Sequence, residues 1–331
     1  MKNFLYLVCL GFLIVVTASL TAMETKVSMT LWNRYTADLT GGELNESVFG
    51  LERGYFIVEP TFNDKIKGRF NIDLFSDDDA LDGAGLKLKY AYLDFSEVLP
   101  IPESKISAGL IKHYFGTIYD WEYISIQKAL EDKEGVASST DYGLALYGYL
   151  PGGYGEYAVS VLNGEGYKKT GGDLDKEPEI AANLRVIPIP GFTLGGSVLY
   201  ENDESERLAY AGVAHFSKGP FELWGEYLVS DMNEITGSGF MVMPIIKLKR
   251  MAGIDVDILG RFDMWDGNTD ADDDGHMNIT AGLNWNLVRD EKGAPMVFLQ
   301  LQGERTMFED DAIEDIDKLM AQLQWTFSNV F

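Results

Sequence analysis

The last segment of the chain alternates. Leu319, Ala321, Leu323, Trp325, Phe327 and Phe331 fall on one face of an extended backbone, and Met320, Gln322, Gln324, Thr326 and Ser328 fall on the other. Successive side chains of a strand point to opposite sides, so a period of two over this length predicts a strand with one apolar and one polar face. The pattern recurs upstream. Met277, Ile279, Ala281, Leu283, Trp285 and Leu287 oppose Asn278, Thr280, Gly282, Asn284 and Asn286, while Ile66, Gly68, Phe70, Ile72 and Leu74 oppose Lys67, Arg69, Asn71 and Asp73. Ile254, Val256 and Ile258 likewise oppose Asp255 and Asp257. Sixteen strands are predicted, among them 26–38, 49–62, 103–113, 140–150, 238–249, 251–265 and 315–327. Pro244 conflicts with an interior strand because proline cannot donate to the ladder, and a bulge is expected there.

Soluble sandwiches also alternate, so two further features decide the class. The predicted strands run to roughly 10–13 residues, against about 5–6 in globular sheets. The connections also alternate in kind. Odd-to-even connections such as 39–48, 77–83, 114–139 and 266–275 are mostly long and acidic. Even-to-odd connections are tight turns, at Asn63-Asp64, Pro151-Gly152-Gly153, Pro188-Ile189-Pro190 and Ser217-Lys218-Gly219-Pro220. Together they predict an all-β, transmembrane, antiparallel up-and-down β-barrel of about 16 strands, set in a bacterial outer membrane with both termini periplasmic. Closure is obligatory because hydrocarbon offers no partner to the free N–H and C=O groups of a sheet edge. Sixteen strands leave a lumen wide enough for water.

The N-terminus departs from the pattern. Lys2, then an apolar run from Phe4 to Val16, then small and hydroxyl residues to Ala22, predict a signal peptide over 1–22 and a barrel over 23–331. The single cysteine, Cys9, falls in the signal, so no disulfide or thiol chemistry is expected of the barrel. Beyond it no apolar run reaches the roughly 18 residues of a spanning helix.

Charge narrows the partners. With 52 acidic against 27 basic residues the net charge is -25, which repels nucleic acid. Catalysis has little to stand on. His113, His215 and His276 lie on three separate segments, without the spacing of a nucleophilic triad or a zinc site, and no enzyme is expected. Strand parity instead places a basic set in the lumen: Arg53, Lys67, Arg69, Lys87, Lys89, Lys112, Arg185 and Arg261. It adds an acidic set: Asp73, Glu222, Glu226, Asp255, Asp257, Asp263 and Glu304. The basic residues lie mainly on the first five strands and the acidic ones on the last six. Opposed walls of that kind would set a transverse field across a pore. The loop 266–275 contains Asp270, Asp272 and Asp274 followed by Gly275, alternate carboxylates that could wrap a calcium ion, although an EF-hand's closing glutamate would fall on Ala281. Asp77-Asp78-Asp79 and Glu309-Asp310-Asp311 lie on the same predicted side and could join it in bridging lipopolysaccharide through divalent ions. No other cofactor is expected.

Several short patterns, in order and spacing, resemble the phosphate-selective porin O and P family. They include Leu51-Glu52-Arg53-Gly54-Tyr55-Phe56 with Lys65-Ile66-Lys67-Gly68-Arg69-Phe70, Lys89-Tyr90-Ala91-Tyr92-Leu93-Asp94-Phe95, and Ala108-Gly109-Leu110-Ile111-Lys112-His113-Tyr114-Phe115-Gly116. Ser139-Thr140-Asp141-Tyr142-Gly143 and Ala281-Gly282-Leu283-Asn284-Trp285 follow. The resemblance implies a sixteen-stranded, usually trimeric porin whose third loop folds inward, and 114–139 stands in that loop's place. Two features depart from it: His113-Tyr114 replaces the small residue and proline common before Phe-Gly, and the negative net charge counts against anion selectivity. The expected function is passive diffusion of small hydrophilic solutes or ions. A phosphate or oxyanion-specific porin is the first alternative, and a surface-binding or adhesion barrel without a conducting pore the second. Expected partners are outer-membrane lipid and lipopolysaccharide, two further copies of the chain, and the barrel-insertion machinery, which would read Trp325, Phe327 and Phe331.

Overall fold

The computed structural model describes residues 24–76, 83–122, 124–169, 177–202 and 206–331. The signal-peptide reading of 1–22 and the Asp77-Asp78-Asp79 cluster lie outside these residues. Sixteen strands follow in order: β1 Glu24–Thr40, β2 Glu43–Asn63, β3 Ile66–Ser76, β4 Ala84–Ser96, β5 Ser104–Lys112, β6 Thr140–Leu150, β7 Gly155–Leu162 and β8 Glu179–Ile189. The second half comprises β9 Phe192–Glu201, β10 Arg207–Lys218, β11 Phe221–Met232, β12 Ile235–Lys247, β13 Val256–Asp266, β14 His276–Arg289, β15 Pro295–Phe308 and β16 Ile316–Val330. Each pairs antiparallel with its neighbours in sequence, and β16 returns to β1, so the barrel closes. Thr25 and Phe331 complete the seam, each amide donating to the other's carbonyl at 3.0 and 2.9 Å.

The sixteen-strand count stands, but several boundaries move, most of all the starts of β2 and β13. Most of the predicted loop 39–48 is strand: β1 and β2 meet at Gly41-Gly42, whose φ of 57° and 85° suits residues without a β-carbon. On the opposite rim the strand predicted from 251 begins at Val256. Lys249–Ala252 form a helical turn instead, ended by Gly253 at φ 73°. This takes Asp255 off the strand. The bulge expected at Pro244 is absent. Its register runs unshifted against β11 and resumes unshifted against β13. The β13 pairing is interrupted only over Met243-Pro244, where the missing N–H falls, and Gly260 leaves room for the ring.

Register shifts occur elsewhere, and two of them bear on the lumen. On β2, Trp32 pairs Arg53 and Asn33 pairs Leu51, leaving Glu52 as the extra residue. On β4, Asn71 pairs Tyr90 and Ile72 pairs Leu88, leaving Lys89 extra. A bulge re-aims side chains, and both Glu52 with Arg53 and Lys89 with Tyr90 border internal cavities.

The barrel inverts the usual distribution of polarity. Leu144, Val161, Ile180, Leu184, Leu194, Tyr227 and Leu319 on the outer face are exposed, whereas Ser160, Asn183, Asn278, Gln300 and Gln322 on the inner face are buried. An apolar core also exists, but inside the barrel. Ala181, Leu199, Ala209, Leu228, Met241, Met243, Ile245 and Leu259, from the inner faces of β8–β13, pack against Phe115, Leu130, Val136 and Ala137 of the β5–β6 connection. Burying Phe115 and Leu130 contributes roughly 1.5–3 kcal/mol each, enough to draw this connection into the lumen.

Candidate functional site: the constricted lumen

The β5–β6 connection runs along the inner wall of β8–β15, tied down at each step. Gly116 donates to Ser197 Oγ on β9 at 3.0 Å, and the Arg185 guanidinium on β8 donates to Gly116 O at 2.6 Å and to both oxygens of Asp120. Thr117 meets Glu226 on β11, and Arg261 on β13 donates to Lys128 O at 2.7 Å. Beyond these, Gln127 donates to Asn278 Oδ1 on β14 at 2.9 Å and Ile126 N to Gln302 Oε1 on β15 at the same distance. The loop thus crosses from its root to the far wall, leaving chambers beside β1–β5 and a further one beside β12–β16. The inward third loop expected from the family resemblance is present.

The basic wall faces it. Arg69 and Lys112 border a cavity of about 330 Å³ together with Lys89, Tyr55 and Tyr90, and the loop supplies Asp120, Glu122 and Asp132 on the other side. The Arg69 guanidinium stacks over Tyr90, 4.7 Å from the ring centroid, and lies 3.7 Å from the Glu59 carboxylate. Lys89 is 4% exposed; its ammonium is bonded to Ser139 Oγ and lies 4.3 Å from the Tyr167 ring. Arg53 sits 3.7 Å from Asp73, and Lys87 lies over Phe75. Lys67 belongs to the same inner face but stands exposed at the rim, beside the β2–β3 turn.

The acidic wall expected on the last six strands does not face the open lumen as a free array. Glu222 is taken up by His215 at 3.1 Å, by Trp224 Nε1 at 2.9 Å and by Lys247. Asp263 pairs with Arg261 at 2.8 Å and with Lys133 of the loop at 3.3 Å. Glu226 is closed under the loop, and Glu304 accepts from Asn278 at 2.8 Å. Asp255, off the strand at the rim, holds Arg289 at 2.6 and 2.7 Å and Lys249 at 2.6 Å. These bonds, Arg289's first, keep its carboxyl below the ordinary range. Of this set Asp255 and Asp257 border an open chamber. Arg185 and Arg261 are lost to the lumen for the same reason: 5% and 2% exposed, they are seats for the loop. The expected opposed walls are therefore re-formed, with Asp120, Glu122 and Asp132 in place of the acidic strand residues. Parity alone did not single out these loop residues, because a loop carries no period.

Three chambers follow one another. One of about 470 Å³ is bordered by Arg34, Arg53, Lys87, Lys128 and Lys168 with Glu46, Glu52 and Asp73. The 330 Å³ cavity beside the loop follows, and then one of about 580 Å³ with Lys247, Lys249, Arg250 and Arg289 against Glu122, Asp255 and Asp257. Among the described residues, twelve Lys or Arg and eight Asp or Glu line these chambers. A chain of net charge -25 therefore has a basic lumen, and its overall sign says little about the pore.

The calcium reading gains no support. Asp270, Asp272 and Asp274 are exposed, and among the described residues no three carboxylate or histidine groups converge as a metal requires. The turns at Asn268 and Asp270, where backbone amides donate to side chains two residues back, spread these carboxylates into solvent. Trp325 and Phe327 stack on the outer face with centroids 6.1 Å apart, and Phe331 is 72% exposed.

No family model matches the chain, and no curated protein is similar to it in sequence. Solved structures are similar in fold. Pseudomonas putida OprB aligns with a TM-score of 0.69 at 9% identity, over 92% of this chain and 94% of that one. The trimer form of Vibrio cholerae OmpT, an outer membrane protein, gives 0.64 at 9%, over 92% and 99%. An anion-selective porin from Comamonas acidovorans gives 0.60 at 12%, over 92% and 99%. The chain shares with these proteins the closed sixteen-strand antiparallel barrel.

Proposed function

We propose that the chain is an outer-membrane porin, a passive diffusion channel for small hydrophilic solutes. The observation that carries this reading is a closed barrel with an apolar outer face and a charged lumen, narrowed by a loop tied to the wall along its length. Only closed barrels and helices satisfy their backbone in hydrocarbon, and a lumen lined by charge serves solutes that stay hydrated. The fold similarity to an anion-selective porin agrees with the excess of lumen cations. Solutes pass between the basic wall and the loop carboxylates, which orient dipolar molecules and favour small anions. Planar-bilayer recording tests this: stable conductance is expected, with a reversal potential in a KCl gradient on the chloride side. Absence of conductance would instead favour a surface-binding barrel.

A second reading, an oxyanion-preferring porin, is favoured by one observation: Arg69, Lys89 and Lys112 converge on the narrow cavity. Block of chloride current by inorganic phosphate at micromolar concentration would distinguish it from general diffusion. The remaining expectations complete the proposal: residues 1–22 direct export, the mature chain assembles as a homotrimer, Trp325, Phe327 and Phe331 engage the insertion machinery, and lipopolysaccharide surrounds the outer rim.

A further inference from the structure

The place where the loop meets β11 is unlike its other attachments, because two carboxyl groups compete for one set of donors. Glu131 is fully buried on the helical turn Leu130–Lys133, and Glu226 is 4% exposed on the wall. The Thr117 amide donates to both, at 2.5 Å to Glu131 and 3.2 Å to Glu226. Ile118 N donates to Glu131 at 3.0 Å and the Thr117 hydroxyl to Glu226 at 2.9 Å. The two carboxyls thus converge on one buried amide. Two carboxyls that share donors in a buried site carry one proton between them rather than two negative charges. The residue before Thr117 is Gly116 at φ 49°, where a β-carbon would collide with both carboxyls, so the backbone is pressed against the pair.

We infer that Glu131 and Glu226 form a proton-held latch: one shared proton seats the constriction loop on the wall, and its removal releases the loop and widens the lumen. The surroundings leave no other way to hold two charges. Arg185 of β8 faces the pair, but its guanidinium is already shared with Asp120 and Gly116 O. β9 offers Ser197, which is bonded to Gly116 N, and the register neighbours of Glu226 on β10 and β12 are the uncharged Val213 and Met241. The other charges of the loop are engaged: Asp132 with Lys128 at 3.5 Å and Lys133 with Asp263. On β11 itself, Glu222 is held by His215 and Lys247. Two carboxylates in one buried site cannot both ionise. Burial likewise pushes the Glu131 carboxyl upward. The sign follows: the seated state binds a proton that the released state gives up, so the latch holds at low and neutral pH and fails as pH rises through the pair's titration. Release would carry Asp132, on the same helical turn as Glu131, away from the basic wall. This consequence for flow rests on the channel reading, whereas the latch itself does not.

The test is thiol labelling of the folded full-length barrel carrying Ala137→Cys, with Cys9→Ser so that the probe is the single thiol. Ala137 is 4% exposed, and its amide caps Glu131 O at 3.1 Å. A charged methanethiosulfonate is the reagent, and the comparison is Glu226 against Glu226→Gln, whose amide can donate to Glu131 without a titratable proton. Thiol ionisation is common to both backgrounds and cancels in the ratio. At about pH 6 the two rates should agree, and at about pH 10 the Glu226 background should label on the order of tenfold faster. Equal rates at both pH values overturn the latch. If Glu226→Gln does not fold, as judged by heat-modifiable mobility, Glu131→Gln supplies the same comparison. In bilayers, conductance should rise with pH in the unmodified barrel and stay constant in the glutamine variant. A conducting pore insensitive to pH overturns the latch and leaves the channel reading intact. A barrel that never conducts overturns the channel reading, and the labelling ratio still decides the latch.

Discussion

Two walls of the same barrel carry charged residues in the same alternating pattern and use them differently. On β2–β5 the cations lie over aromatic rings or beside carboxylates, as Arg69 does with Tyr90 and Glu59, Lys87 with Phe75 and Arg53 with Asp73, and they border open cavities. On β8–β13, Lys247 and Asp257 border the chamber beyond the loop, but the charges beneath it are sealed: Arg185 and Arg261 bind loop backbone carbonyls, and Glu226 lies beneath Thr117. Their neighbours on that wall are alanine, leucine and methionine. One wall is therefore a surface for solutes and the other a seat for the loop. Inward parity identifies a side chain that points into a barrel; whether it meets water or protein depends on what else occupies the interior.

The largest test of this contrast is stability. Arg185→Ala should cost about 3–5 kcal/mol, because it leaves buried loop acceptors and the Asp120 charge without a donor. The temperature at which the folded, fast-migrating form disappears on gels should drop accordingly. Arg69→Ala should barely move it, and an equal drop would break the distinction between the walls. Selectivity provides a test of intermediate size. Lys87→Glu with Lys112→Glu should leave stability near the starting value and shift the anion-to-cation permeability ratio by about twofold per unit charge changed, read from reversal potentials. The same reversal at Arg261 should disrupt folding instead.

The smallest effect is expected at the rim. Asp255 is held below the ordinary carboxylate range chiefly by Arg289, so its contribution is present at neutral pH and is lost only as pH falls below that range. Asp255→Asn should cost no more than about 1 kcal/mol at neutral pH, as partly exposed pairs do. The difference from the parent should vanish in strong acid. A penalty that grew on acidification would mean that Asp255 is protonated in the folded barrel.

Much of this architecture is legible in sequence, for a reason particular to barrels. Every strand sees the same two environments, so Leu319 to Phe327 or Met277 to Leu287 reveal their facing without knowledge of their partners. The exceptions are local irregularities. The bulges that leave Glu52 and Lys89 unpaired break parity, and no turn residue announces them. Asp255 looked like strand because Ile254, Val256 and Ile258 alternate, yet the helical turn before Gly253 delays the strand. The loop residues Asp120, Glu122 and Glu131 had no period to read; their roles come from what the loop lies against.

By itself, then, the sequence determined the closed sixteen-strand barrel, its apolar outer face, the position of the long third loop and the basic bias of the early strands. These follow from alternation and turn chemistry, which act over a few residues. Only the tertiary structure decided which charges face open space. That depends on the loop's apolar residues finding the inner faces of β8–β13, contacts made between segments distant in sequence, as the 65 residues from Asp120 to Arg185 and the 133 from Lys128 to Arg261 illustrate. By burying Glu226, Arg185 and Arg261 beneath it, the loop removed an acidic wall that alternation had predicted and supplied its own carboxylates opposite the cations.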